Sequence, residues 1–178
     1  LDGDGLADCL RVAKQEHGRV TALHTSRNTD RAITLLPALR YLDTFVCNCD
    51  EAHSITGHAS PAAAVRWFHT HGVGAVAITL GCRGAFVSEA SSQTSVPAFE
   101  THAIDTTGCG DAFTAAFLHA RLSGMPLETA ATWGNAAGAL CSQYAGGMPP
   151  RLDSRLIERF INDRVPAPAM LPFVLEEG

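Results

Sequence analysis

An open, doubly wound α/β sheet, mostly parallel and with helices on both faces, is the fold class this sequence predicts. Strand-patterned and helix-patterned segments alternate along most of the chain, and such alternation builds βαβ units around one sheet. The clearest strand, "GAVAITLG" (74–81), is an apolar run, the pattern of a strand at the centre of a parallel sheet. The 178 residues, 46% of them hydrophobic, are enough for one domain with a sizeable core. No internal repeat, low-complexity tract or second-domain linker divides residues 1–178.

The elements follow in order. Leu6, Leu10, Ala13 and His17 recur at helical spacing, and Gly18 supplies a stop. "RVTALH" (19–24) reads as a short strand. "TDRAITLLPALRYL" (29–42) reads as a helix, broken or kinked where Pro37 lacks an N–H. "DTFVCN" (43–48) is a second buried strand. "DEAHSITG" (50–57) is a short helix closed by Gly57, and Ser60-Pro61 opens another that ends at Gly72. After the strand at 74–81, "GAFVSEA" and "TSVPAF" suggest a hairpin or edge strands. Two helices follow, "DAFTAAFLHARL" and "LETAATWGNAAGALCSQY", separated by Gly124-Met125-Pro126. "RLDSRLIERFIND" is a last amphipathic helix, and residues 163–178, rich in proline, are expected to be irregular coil.

Composition narrows the function. The formal charge is −5, with Lys and Arg scattered rather than clustered; a nucleic-acid surface would show a basic face. No apolar run is long enough to span a bilayer, and charges interrupt the first residues where a signal peptide would need an apolar core. The expectation is a soluble, cytoplasmic protein without a nucleic-acid or membrane partner. The six cysteines form no C-x-x-C pair, and the eight histidines show no H-E-x-x-H spacing. They read as reduced thiols in packing roles rather than as a metal site.

The stretch "DTTGCGDAF" (105–113) raises the functional question. Gly108, Cys109 and Gly110 lead into the helix that Asp111 begins. The first N–H groups of a helix lack internal partners, and the macrodipole adds positive character there. Glycines let an anion approach the backbone, so the loop suits a phosphoryl group. Asp111 would repel that anion, but it could take a proton from an alcohol attacking phosphorus. A helix cap and a tight turn account for the same spacing. It is not a Walker A loop, since no Gly-Lys-Ser/Thr follows, and Phe113 stands where G-x-G-x-x-G needs its third glycine.

"DTTGCGDAF" resembles the C-terminal signature of the PfkB, or ribokinase-like, family of carbohydrate kinases, roughly D-T-x-G-A-G-D-x-F. Further similarities fall in order. "NCDE" (48–51) matches the family's N-x-x-E motif, and "TLGCRG" (79–84) is similar to its nucleotide-binding T-x-G-x-x-G turn. Asn135 lies where the family has a residue facing adenine. The resemblance implies an ATP-dependent kinase acting on a small sugar or sugar-like alcohol. Asp111 would be the base, with Gly108, Cys109 and Gly110 as the anion hole. Asn48 and Glu51 would organise the phosphates and the waters around Mg²⁺. Thr79, Gly81, Arg83, Gly84 and Asn135 would line the ATP site. A K⁺ ion, held mostly by carbonyls, would lie near Asp105, Thr107, Cys141, Tyr144 and Gly146.

Taken singly, Asn48 also reads as a strand-end turn residue, Glu51 as a first-turn carboxylate and residues 79–84 as a β-turn. Cys109, in place of the usual alanine, reads as a packing residue. "LHTSRN" departs from relatives, which commonly show Asp or Asn near this point. The family's N-terminal portion, carrying the first strands, a lid, most sugar-binding residues and the surface for a homodimer, is not visible here. The sequence is therefore expected to be the C-terminal, nucleotide-binding part of a longer kinase, turning over poorly by itself. The rival expectation is a non-catalytic nucleotide-binding or regulatory fragment.

Overall fold

A computed structural model describes residues 3–25, 32–90, 92–146 and 149–164. Helix α1 (Gly3–Arg11) passes into a wider π-helical turn (Val12–Glu16) and then strand β1 (Ala22–His24). Helix α2 (Ala32–Leu39) leads to β2 (Thr44–Asn48), followed by α3 (Cys49–Thr56), α4 (Pro61–Thr70) and β3 (Ala75–Thr79). A short 3₁₀ turn (Gly81–Arg83) links β3 to the hairpin β4 (Ala85–Glu89) and β5 (Ser92–Val96). Three helices close the described chain: α5 (Cys109–Leu122), α6 (Leu127–Ser142) and α7 (Ser154–Asn162).

The strands form one sheet in the order β1-β2-β3-β4-β5. Strands β1, β2 and β3 pair in parallel, β4 is antiparallel to β3, and β5 is antiparallel to β4. Four of the five strands therefore point the same way, and β4 alone is reversed. The run at 74–81 does supply the central strand, but its neighbours differ in direction: parallel β2 on one side and antiparallel β4 on the other.

Alternation along the strands builds two cores. Phe45, Cys47, Val76 and Ile78 pack with Leu39 of α2, Ala52 of α3 and Val65 and Phe68 of α4. Val46, Ala77, Val87 and Val96, on the other face, pack with α5, α6 and α7 through Phe117, Ala136, Ile157 and their neighbours. Residues at successive positions of a strand face opposite ways, so burial on both faces leaves β2 and β3 no polar alternate. That is why these two strands read as unbroken apolar runs.

Three boundaries differ from those expected. The first helix was expected to continue to His17; instead its last turn widens, closed by His17 N–H to Val12 O at 3.2 Å. Strand β1 starts at Ala22 rather than Arg19. Ahead of it, Thr21 donates its amide (2.8 Å) and hydroxyl (3.0 Å) to Asp43 Oδ2, which competes with a strand ladder there. Burial raises the Asp43 carboxyl, but Lys14 and the Thr21 donors outweigh it and hold the group below its ordinary value. Helix α2 runs through Pro37 and ends two residues later. The proline-rich tail lies outside the described residues from 165 onward.

Helices α5 and α6 cross at a place where no side chain fits. A Cβ on Gly134 would lie 2.6 Å from Phe113 Cδ2, and Phe113 is buried. Gly134→Ala is therefore expected to destabilise the fold by about 1–3 kcal/mol through overpacking, read by urea denaturation. An unchanged or higher midpoint would show that this crossing relaxes freely.

Candidate active site at the head of α5

Gly108 precedes α5 with φ 75°, a left-handed conformation that a side chain would resist. The turn it makes is closed by Cys109 N–H to Thr106 O at 3.2 Å, and the first helical bond at this end runs from Ala112 N–H to Gly108 O at 2.9 Å. Between these two, the amides of Gly110 and Asp111 have no backbone acceptor among the described residues. Within the expected trio at 108–110 the Cys109 amide is engaged in the turn, whereas the amide of Asp111, like that of Gly110, is not. The Asp111 side chain is 77% exposed and points at no packed core.

The loop leading into α5 is tied to the end of α6. The Asp105 carboxylate accepts Thr107 N–H and Gly146 N–H, each at 2.9 Å. Thr107, through its amide and its side chain, and then the Gly146 amide hold the Asp105 carboxyl below its ordinary 3.8. The tie is consequently present above that pH and is lost only as pH falls through the lower folded value. Ser142 O accepts the amides of Ile104 and Asp105. Cys141 directs its thiol at Thr107 O (3.6 Å), and Cys109 directs its own at Asp105 O (3.9 Å). Four of the five residues expected around a cation, Asp105, Thr107, Cys141 and Gly146, gather here; Tyr144 follows on the exposed chain, its amide bonded to Cys141 O at 3.1 Å.

Carboxyl ends of strands meet the same region. Asn48, the last residue of β2, caps α3: its Oδ1 accepts Glu51 N–H at 2.8 Å, while Glu51 Oε2 accepts Asn48 N–H at 2.9 Å. Glu51 is buried, and Thr25 donates its hydroxyl to the same Oε2 at 2.9 Å. Such a cap contributes about 0.5–2 kcal/mol. Both motif residues therefore have a structural task, and the Glu51 side chain is buried. Among the described residues no group of three His, Cys, Asp or Glu is arranged to hold a metal directly.

Thr79 sits opposite Asn48 in the β2–β3 register. From there the chain turns through Gly81, Cys82, Arg83 and Gly84, closed by Leu80 N–H to Gly84 O at 2.7 Å. Gly84 is required for packing, since a Cβ would lie 2.0 Å from Val96 O. Asn135 is buried in α6 and donates Nδ2–H to Val96 O (3.0 Å) and Pro97 O (2.9 Å), so it braces the chain leaving β5.

One residue to which the sequence reading gave no role stands beside Asp111. His24, the last residue of β1, brings Nδ1 to 3.4 Å from Asp111 Oδ1. Its signals in the sequence were its place in "LHTSRN", where the chain departs from relatives, and its position at the carboxyl end of a strand, where open α/β sheets place ligands. Together the head of α5, the ends of β1 and β2 and the turn after β3 offer amides without backbone acceptors, an accessible carboxylate and an imidazole.

Comparisons with known proteins agree on what this arrangement is similar to. The family model described as pfkB family carbohydrate kinase matches residues 4–154. The ribokinase of Haemophilus influenzae is 36% identical over 107 residues, covering 57% of this chain and 35% of the relative. A ribokinase II from E. coli, solved with ATP and Mg²⁺, superposes with a TM-score of 0.80 at 25% identity, over 90% of this chain and 54% of the other. A fructokinase from Vibrio cholerae, bound to fructose, ADP and calcium, gives 0.76 at 25% identity, over 86% and 54%. The chain thus spans about half the length of these solved relatives. Among the described residues, no helix is long and apolar enough to cross a membrane.

Helix N-termini usually lower a thiol pKa, but at Cys109 burial wins: burial first, then Cys141 and the Asp105 charge, push it up to about 12. Brief iodoacetamide treatment at pH 8 is expected to label the exposed Cys9 and Cys82 well before Cys109. Early labelling of Cys109, read by peptide mass spectrometry, would mark it as an activated thiol instead.

Proposed function

The chain belongs to the pfkB family of carbohydrate kinases, and from that premise we propose that it is the nucleotide-binding, base-bearing portion of an ATP-dependent sugar kinase. On this reading residues 1–178 are one domain, the C-terminal part of a longer enzyme. The substrate is a hydroxyl of a small sugar or sugar-like alcohol, and the reaction takes place in the cytoplasm. The single observation that carries the reading is the exposed Asp111 carboxylate directly behind the unpaired amides of Gly110 and Asp111.

Asp111 accepts the proton of the acceptor hydroxyl as its oxygen bonds to the γ-phosphorus. The bond from that phosphorus to the β,γ-bridging oxygen breaks, and its electron pair leaves with ADP. The amides at the head of α5 face the charge that builds on the transferred group. Residues Thr79, Gly81, Arg83 and Gly84 line the nucleotide, and Asn135 supports that wall through Val96 and Pro97. Asn48 orients the phosphates from the head of α3.

When bound, Mg²⁺ neutralises phosphate charge. The fixed Glu51 side chain, whose Oε2 already accepts two bonds, fits a place in the outer hydration shell better than direct ligation. K⁺ belongs to the same proposal, held by carbonyls around Asp105, Thr107, Cys141, Tyr144 and Gly146; the gathering of that loop supports it.

In the full-length protein, Asp111→Asn is expected to lower kcat by about 10²–10⁴ while ATP binding, read by calorimetry, is retained. Turnover that survives the substitution would remove Asp111 as the base. ATP binding by a full-length protein that phosphorylates no sugar in a broad acceptor screen would favour the non-catalytic nucleotide-binding reading.

A further inference from the structure

We propose that His24 is a positioning residue for Asp111, holding one carboxylate oxygen so that the other faces the acceptor hydroxyl. The inference rests on Asp111 being the base, and it concerns a residue that none of the family motifs contains.

Three observations carry it. His24 Nδ1 lies 3.4 Å from Asp111 Oδ1, with the imidazole only 25% exposed against 77% for the carboxylate. The ring also borders the anion loop: its Cε1 and Nε2 each lie 3.9 Å from where a Cβ on Gly110 would be. Its backbone is fixed, since His24 pairs with Val46 in the β1–β2 ladder and Thr25 N–H donates to Val46 O at 3.2 Å. An anchored ring is thus set against a carboxylate otherwise free to change rotamer in solvent.

That contrast matters for a base, which must come within hydrogen-bond reach of the proton it takes. An exposed aspartate samples several rotamers, and only some aim an oxygen at the acceptor. An Nδ1–H on Oδ1 selects among them and leaves Oδ2 to receive the proton. No bond is made to His24 and no proton passes through it. The 3.4 Å approach is long for a hydrogen bond, as such contacts often are before substrates arrive.

The test separates this contact from the kinase reading. In the full-length protein, three-bond couplings of Asp111 are expected to report one dominant χ1 rotamer. They should average in His24→Ala and recover in His24→Asn, whose amide nitrogen can stand where Nδ1 does. Identical couplings in the wild type and His24→Ala would overturn the proposal whether or not the protein is a kinase. With ATP and a panel of pentoses and hexoses as probe acceptors, His24→Ala is expected to lower kcat about ten- to a hundredfold. The KM for ATP should stay within about twofold, and His24→Asn should recover most of the rate. Equal losses in both variants would reduce His24 to a packing role and overturn the proposal. Turnover that survives Asp111→Asn would instead overturn the base assignment, leaving the couplings to decide the contact.

Discussion

Unpaired amides at the head of α5 are the constraint on which the rest of the molecule depends. A helix begins with N–H groups that nothing inside it can satisfy, and here those of Gly110 and Asp111 are left without a backbone acceptor. The left-handed Gly108 lets the chain enter the helix without a side chain in the way. Helix α5 is in turn fixed from behind by α6, pressed so closely that Phe113 occupies the space a Cβ at Gly134 would need. The loop in front is fixed by Asp105, which bonds to Thr107 and Gly146. A polar liability is thereby held rigid and turned outward.

The sheet supplies the other half of the arrangement. Because β1, β2 and β3 run in parallel, their carboxyl ends share one edge and carry His24, Asn48 and Thr79 there. The buried Glu51 joins β1 to α3 by accepting from Thr25 and Asn48 together. Amides without backbone acceptors, an exposed carboxylate and a strand-anchored imidazole thus meet at one edge, supported by two separate cores on opposite faces of the sheet.

Much of this was legible in the sequence, and the limits were physical. Burial on both faces writes apolar runs into β2 and β3, so the central strands could be read directly. The glycines at 108 and 110 and the carboxylate behind them announced the α5 loop. Direction was legible only in part: the short turn between the runs at 75–79 and 85–89 is too brief for a parallel crossover, yet the apolar run at 75–79 taken alone reads as the centre of a parallel sheet. The early start predicted for β1 missed the competition from Asp43 for Thr21, a contact between residues far apart in the chain. The approach of His24 to Asp111 was not legible for the same reason: "LHTSRN" marked the place as a departure from relatives, but no spacing pattern encodes that distance. Asn135 was read as facing adenine; that its Nδ2 donors bond to the carbonyls of Val96 and Pro97 is a long-range contact no sequence pattern shows.

The central claim is that the head of α5 receives phosphate. The most direct measurement is a titration of the isotope-labelled protein with Mg²⁺ and a non-hydrolysable ATP analogue, following backbone amides by NMR. Saturable shifts concentrated at Gly108, Gly110 and Asp111, accompanied by residues 79–84, are the predicted result. Saturable binding that leaves the three amides of the α5 head unmoved would contradict it.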